Sequence, residues 1–174
     1  AAEESVRQTQ RRARSMVTSS LARVLHAASQ EAPMTTVGSH AAIVEYGTSA
    51  KCHGAPKADD VPVLRMGNIK NGEILWSGLK YLPAAHGDFP RLLLRSGDLL
   101  FNRTNSIEHV GKAAVFSGGL DASFASYLIR VRFDEEVDPR WASLAINSPQ
   151  GRAYVSSVVS QQVGQANVNG TKLK

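Results

Sequence analysis

Between Glu3 and Ala28 the apolar residues Val6, Ala13, Val17, Leu21, Val24 and Ala28 recur at three-, four- and seven-residue steps. That period lines one side of a helix, and no Gly or Pro interrupts it before Pro33. The stripe is thin, and Arg7, Arg11, Arg12 and Arg14 crowd the first half. A helix of this kind is marginal alone and needs tertiary packing. The heptad-like spacing predicts packing on another helix, with Val17, Leu21 and Val24 as the contact residues. The alternative is a terminal helix docked on its own domain.

After Pro33 the pattern changes to short β-type runs broken by Gly. Val61–Met66 and Glu73–Leu75 read as strands, with Asn71-Gly72 between them as a hairpin turn whose two central residues need positive φ. Ser96-Gly97-Asp98 reads as a turn feeding a buried strand, Leu99-Leu100-Phe101. Lys112–Phe116 reads as another strand, ended by Gly118-Gly119. In Tyr127–Phe133 the alternation is clearest: Ile129, Val131 and Phe133 face one way, Arg130 and Arg132 the other.

Two helices follow. Asp138-Pro139 and Ser148-Pro149 each place a capping side chain before a Pro at the first helical position. They open helices over Arg140–Ile146 and Gln150–Ser160. The tail from Gln161 to Lys174 is rich in Gln, Asn and Gly and reads as an ordered loop or a lead-in to a strand. The pattern predicts an α+β fold: a strand-rich mixed β domain over residues 31–174, preceded by an amphipathic helix over residues 1–30, with short helices towards the C-terminus.

Composition sharpens this only a little. With 174 residues and 43% hydrophobic content the chain can bury a core. No run approaches the eighteen or so apolar residues of a membrane span. The chain begins Ala1-Ala2-Glu3-Glu4 with no signal-peptide pattern and reads as trimmed or partial. Its one cysteine, Cys52, excludes an internal disulfide and fits a reducing cytoplasm. The net charge of +5 is uneven. Residues 1–30 hold five Arg against two Glu, residues 31–171 hold thirteen basic and thirteen acidic groups, and Lys172 and Lys174 add the rest. A basic balance favours anionic partners.

No catalytic constellation is legible. Val110-Gly111-Lys112 is no P-loop, because Ser106 stands where the first Gly is required and Ala113 where Ser or Thr is required. Cys52-His53 is the one Cys/His neighbour pair, with His26, His40, His86 and His109 scattered singly. A structural zinc site needs about four spaced ligands. Asn147-Ser148-Pro149-Gln150 is a helix cap rather than an amino-methyltransferase motif. Asp134-Glu135-Glu136 with Asp138 reads as a solvated turn. We expect no enzymatic activity, no cofactor and no metal.

Four loops carry donors for phosphates and planar polar groups for base edges. They are Tyr46–Lys51, Gly67–Asn71, Asn102–Ser106 and the amide-rich run from Gln161 to Asn169. Lys51, Lys70, Arg103 and Asn105 are the candidate DNA contacts by loop placement, although Asn, Gly and Ser also simply make turns.

The segments Arg65-Met66-Gly67-Asn68-Ile69, Gly97-Asp98-Leu99-Leu100-Phe101-Asn102-Arg103-Thr104-Asn105-Ser106, Val110-Gly111-Lys112-Ala113-Ala114 and Gln165-Ala166-Asn167-Val168-Asn169 occur in one order. In order and spacing they resemble the target recognition domain of the DNA specificity subunit of prokaryotic type I restriction-modification enzymes. Residues 1–28, Leu21-Ala22-Arg23-Val24-Leu25 above all, resemble the end of the helical spacer that precedes such a domain. The resemblance implies the DNA methylase specificity domain fold and sequence-specific recognition of double-stranded DNA. It also implies partners: methyltransferase (modification) subunits and motor-nuclease (restriction) subunits. The family has two recognition domains and two spacers, where this chain carries one recognition domain and a shortened spacer. The motifs quoted are mostly scaffold, so the resemblance transfers no base contact. Two other readings stand beside it: the recognition domain of a fused restriction-methyltransferase, and a protein-interaction module whose basic helix binds an acidic partner.

Overall fold

In a computed structural model the structure describes residues 2–31, 35–106, 109–162 and 165–173. Helix α1 spans Ala2–Glu31 and α2 spans Val37–His40. Strands β1 (Ala41–Tyr46) and β2 (Asp60–Leu64) lead to a 3-10 turn at Met66–Asn68. Then come β3 (Ile69–Lys70), β4 (Glu73–Ile74), β5 (Lys80–Pro83), β6 (Leu99–Asn102), β7 (Thr104–Asn105), β8 (Ala113–Val115), β9 (Ser123–Phe124) and β10 (Leu128–Phe133). Helices α3 (Pro139–Asn147) and α4 (Pro149–Val158) precede β11 (Ser160–Gln162), β12 (Gln165–Asn167) and α5 (Gly170–Leu173). The α+β expectation holds, and no helix among the described residues is long and apolar enough to cross a membrane.

The centre is an antiparallel sheet in the order β1-β10-β6-β8. The alternation read from Tyr127–Phe133 does split β10 into two faces, but both are covered. On one face Leu99, Phe101, Ala113, Ile129 and Val131 pack with Ala142, Ile146 and Val155 of α3 and α4. On the other Leu100, Ala114 and Leu128 pack with Leu64, Leu92, Leu94 and Phe124. That second layer comes from the 84–96 loop and a smaller sheet, β5-β2-β9, in which β2 runs parallel to β9. Arg130, on the face opposite Ile129 as the alternation predicts, is 2% exposed.

Local chemistry explains the boundaries. Asp138 caps α3 by accepting from the Arg140 N–H at 2.8 Å, and Ser148 caps α4 by accepting from the Gly151 N–H at 3.0 Å. Both helices begin at Pro, one residue earlier than the spacing predicts. Asn71 (φ 55°) and Gly72 (φ 82°) make the turn expected of them. The strands it joins are β3 and β4, whereas the Val61–Met66 run pairs elsewhere. It stops at Leu64 because the buried Asn68 folds the chain back. The Asn68 Oδ1 accepts from the Arg65 N–H at 3.0 Å, and its Nδ2 donates to the carbonyls of Leu75 and Ser77. The amide-rich tail supplies β12, flanked by β11 and β7.

Candidate nucleic-acid interface

The four candidate DNA contacts are carried by three different segments. Lys51 is exposed, in a segment held by Thr48, whose hydroxyl donates to Asp88 and accepts from the Ala50 N–H. Lys70 is exposed on the β3–β4 hairpin, opposite Glu73. Arg103 and Asn105 lie where the chain leaves β6, with Arg103 against Tyr46 at the end of β1. Asn105 pairs with Ala166 through β7, and its side chain lies outside the described residues. So do the side chains of residues 160–165, which hold three of the tail amides.

Arg103 is the best-defined of the four. Its N–H donates to the Tyr127 carbonyl and its carbonyl accepts from Val168. The guanidinium lies 4.7 Å from the centroid of the Tyr46 ring, and Nη2 approaches the Asn167 Oδ1 at 3.5 Å. Asn167 in turn donates to the Thr104 hydroxyl, and the Tyr46 hydroxyl accepts from the Gly170 N–H at 2.9 Å. Arg103 thus joins the end of β1 to the β7–β12 ladder. A stacked arginine contributes about 0.5–1 kcal/mol where partly exposed. Arg103→Ala should therefore lower stability by roughly 1 kcal/mol, a fall of about 3 °C in Tm, readable by calorimetry. Unchanged Tm with discrimination lost at a single base pair would show instead that Arg103 reads a base.

Of the expected contact residues on α1, Leu21 is half-buried while Val17 and Val24 are 68% and 55% exposed. The helix leans on its own domain through Leu25 and His26. These line a mostly apolar cavity of about 410 Å³ with Phe101, Tyr154, Val155 and Val168. Val17 and Leu21 border a second groove with Gly72, Pro139 and Leu144, while Val6, Met16 and Val24 face outward.

The strongest charge cluster is internal. Arg130 donates to the carbonyls of Leu93 (2.9 Å) and Arg91 (3.2 Å), pairs with Glu45, and stands 3.8 Å from Asp98 and 5.4 Å from the Phe124 ring centroid. Asp98 is fully buried. It receives both prongs of Arg132 at 2.7 and 2.8 Å and the Arg95 N–H at 2.8 Å. Those hydrogen bonds push the Arg132 guanidinium pKa up. Nothing in the sequence distinguished these arginines from surface ones.

One group of three His, Cys or acidic side chains comes together among the described residues. The Nδ1 of His40 lies 3.4 Å from Asp134 and 3.3 Å from Glu136, with Nε2 against the Thr35 hydroxyl. The Asp134–Asp138 turn is exposed in part, as expected, but is tied to the α2–β1 junction. Cys52 is free and half-buried, and burial pushes its thiol pKa up.

Two solved structures share this arrangement of elements. One, titled as the structural basis of complex assembly and conformational transition of the type I R-M system, matches over 95% of this chain at 14% identity with a TM-score of 0.51. The other is the HsdS subunit from Thermoanaerobacter tengcongensis, matched over 98% of this chain at 16% identity with a TM-score of 0.55. The fold is that of an HsdS subunit. The likeness takes in α1 as well as the strand-rich body, since almost the whole chain is covered. The chain spans about two fifths of the length of both structures, 41% in each case. No protein-family model and no curated protein matches the chain.

Proposed function

We propose that the chain is a single target recognition domain with its spacer helix, working within a type I specificity subunit in the prokaryotic cytoplasm. Its task is sequence-specific recognition of double-stranded DNA, and it performs no catalysis. It directs modification subunits, and the restriction subunits that join them, to their target. The observation that carries this reading is the HsdS-like fold over almost the full chain, long helix included. The motif order in the sequence points the same way.

The test is methylome mapping in a host carrying the intact operon. Exchanging residues 31–174 for the equivalent part of a subunit of different specificity should replace one half of the methylated motif. An unchanged motif would sink the proposal.

Assembly is proposed to use the outward stripe of α1. Val17 and Val24 are largely exposed, so charge there should not disturb the fold of the chain. At an interface it would bury an unpaired charge, at a cost of several kcal/mol. Val17→Asp with Val24→Asp should therefore abolish co-purification with the modification subunit at unchanged Tm. Retained co-purification would place the contact elsewhere.

A further inference from the structure

The body of the chain is formally neutral, yet its charges are sorted. Over residues 31–171 there are thirteen cations and thirteen carboxylates. Many of the carboxylates are engaged by arginine or histidine. Glu45 takes Arg91 and Arg130, and Asp98 takes Arg132. Asp138 takes Arg140, His40 faces Asp134 and Glu136, and His53 faces Asp60. Three lysines stand apart from this pairing. Among the described residues Lys51, Lys57 and Lys80 form no ion pair, and Arg65 donates to a carbonyl, that of Gly78.

Two of these cations, Arg65 and Lys80, are neighbours. Val63 of β2 stands opposite Lys80 of β5, so the two share a face of the sheet. Arg65, two residues after Val63, continues that face. The free edge of β5 is taken by His53, which exchanges two backbone hydrogen bonds with Tyr81. That pairing sets Gly54 opposite Lys80, and a Cβ built on Gly54 would stand 3.2 Å from the Lys80 Nζ. Cys52 pairs across from Leu82 on the same added segment, and the charges of Arg65 and Lys80 both act on its thiol. Lys51 precedes it, exposed. Charged heads gathered at one end of the β5–β2 pair, without ion pairs and beside a glycine, fit a ligand that brings its own regularly spaced negative charge.

We propose that Lys51, Arg65 and Lys80 form the edge of this chain that contacts the phosphate backbone of duplex DNA. This rests on the DNA-recognition reading above. It assigns phosphate contact to the β5–β2 edge rather than to the Arg103 junction or the arginines of α1. Each phosphate neutralised on B-form DNA contributes about 0.9 to the slope of log affinity against log salt. Three such contacts give weak, steeply salt-dependent binding, the behaviour expected of one recognition domain without its partners.

The experiment uses the full chain and a short duplex of arbitrary sequence at low salt, with two readouts. Lys51→Glu with Lys80→Glu should make the salt slope shallower by about two units. In the unaltered chain, bound duplex should slow alkylation of Cys52, the single cysteine, by N-ethylmaleimide several-fold. A Lys51→Gln with Lys80→Gln variant of unchanged Tm should show the same slope change and guards against misfolding of the reversed form. If the duplex binds with an unchanged slope and Cys52 is alkylated at its free rate, the phosphate edge lies elsewhere while the DNA reading stands. In that case Arg7→Glu with Arg12→Glu on α1 should carry the slope instead. If no duplex is retained even with the modification subunits present, both proposals fall.

Discussion

Arg130→Met should lower stability by about 3–5 kcal/mol, the cost of removing one member of a buried ionic cluster, and lower Tm by roughly 10 °C or more. The change strands several groups at once. The carbonyls of Leu93 and Arg91 lose their donor, Glu45 keeps only Arg91, and the interior loses the charge facing Asp98. Methionine keeps the aliphatic part of the arginine chain but brings no donor, so the guanidinium contact with Phe124 is lost and the polar groups go unsatisfied. Arg130 is also what fastens the 84–96 loop over the central sheet, because two of its acceptors are carbonyls of that loop. Hydrogen exchange in that loop should therefore accelerate more than exchange in β6 or β10. A Tm within 2–3 °C of the parent, equivalent to about 1 kcal/mol for a domain of this size, would show that losing Arg130 costs far less than a buried ionic cluster should.

Gly47→Ala is expected to be similarly severe. At the end of β1 the chain passes against β9, with Thr48 bridging to Ala125. A Cβ on Gly47 would stand 2.2 Å from the Phe124 carbonyl oxygen and 2.6 Å from that of Ala125. Both are backbone atoms of a strand buried on both sides, so neither can swing away as a side-chain tip would. Overpacking a core costs 1–3 kcal/mol when side chains can adjust. With backbone on the opposing side, about 3 kcal/mol or more is expected, and Phe124, which sits under Arg130, should shift with it. Equilibrium urea unfolding measures this. An unchanged midpoint would mean that the approach of β1 to β9 is looser than these distances imply.

The two effects meet in one place. Phe124 lies beneath Arg130, Gly47 touches the Phe124 carbonyl, and the Thr48–Asp88 bond is one residue further on. This internal joint fixes the loop before Lys51. Through β2 and β9 it also fixes the sheet that carries Arg65 and Lys80. The proposed phosphate edge is thus braced by the cluster that consumes the carboxylates. Weakening Arg130 should loosen DNA binding as a secondary effect, without altering which bases are preferred.

What the sequence by itself determined is what depends on neighbours within a few residues. Asp138-Pro139 and Ser148-Pro149 start helices because a capping side chain reaches an N–H two or three residues on. Asn71-Gly72 turns because both residues tolerate positive φ. The period of α1 and the alternation in β10 follow from the geometry of a helix and a strand. What only the tertiary structure decided depends on residues distant in sequence. Alternation says that Arg130 faces away from Ile129, but not that a second layer covers that face. The run after Asp60 reads as a strand, but β9, its parallel partner, lies some sixty residues later. Lys80 goes unremarked in the sequence because its companions, Lys51 and Arg65, lie far from it along the chain. The net charge of zero over residues 31–171 concealed an unbalanced surface for the same reason. A sum over residues cannot tell a carboxylate buried against arginine from one in solvent, and that difference exists only once the chain has folded.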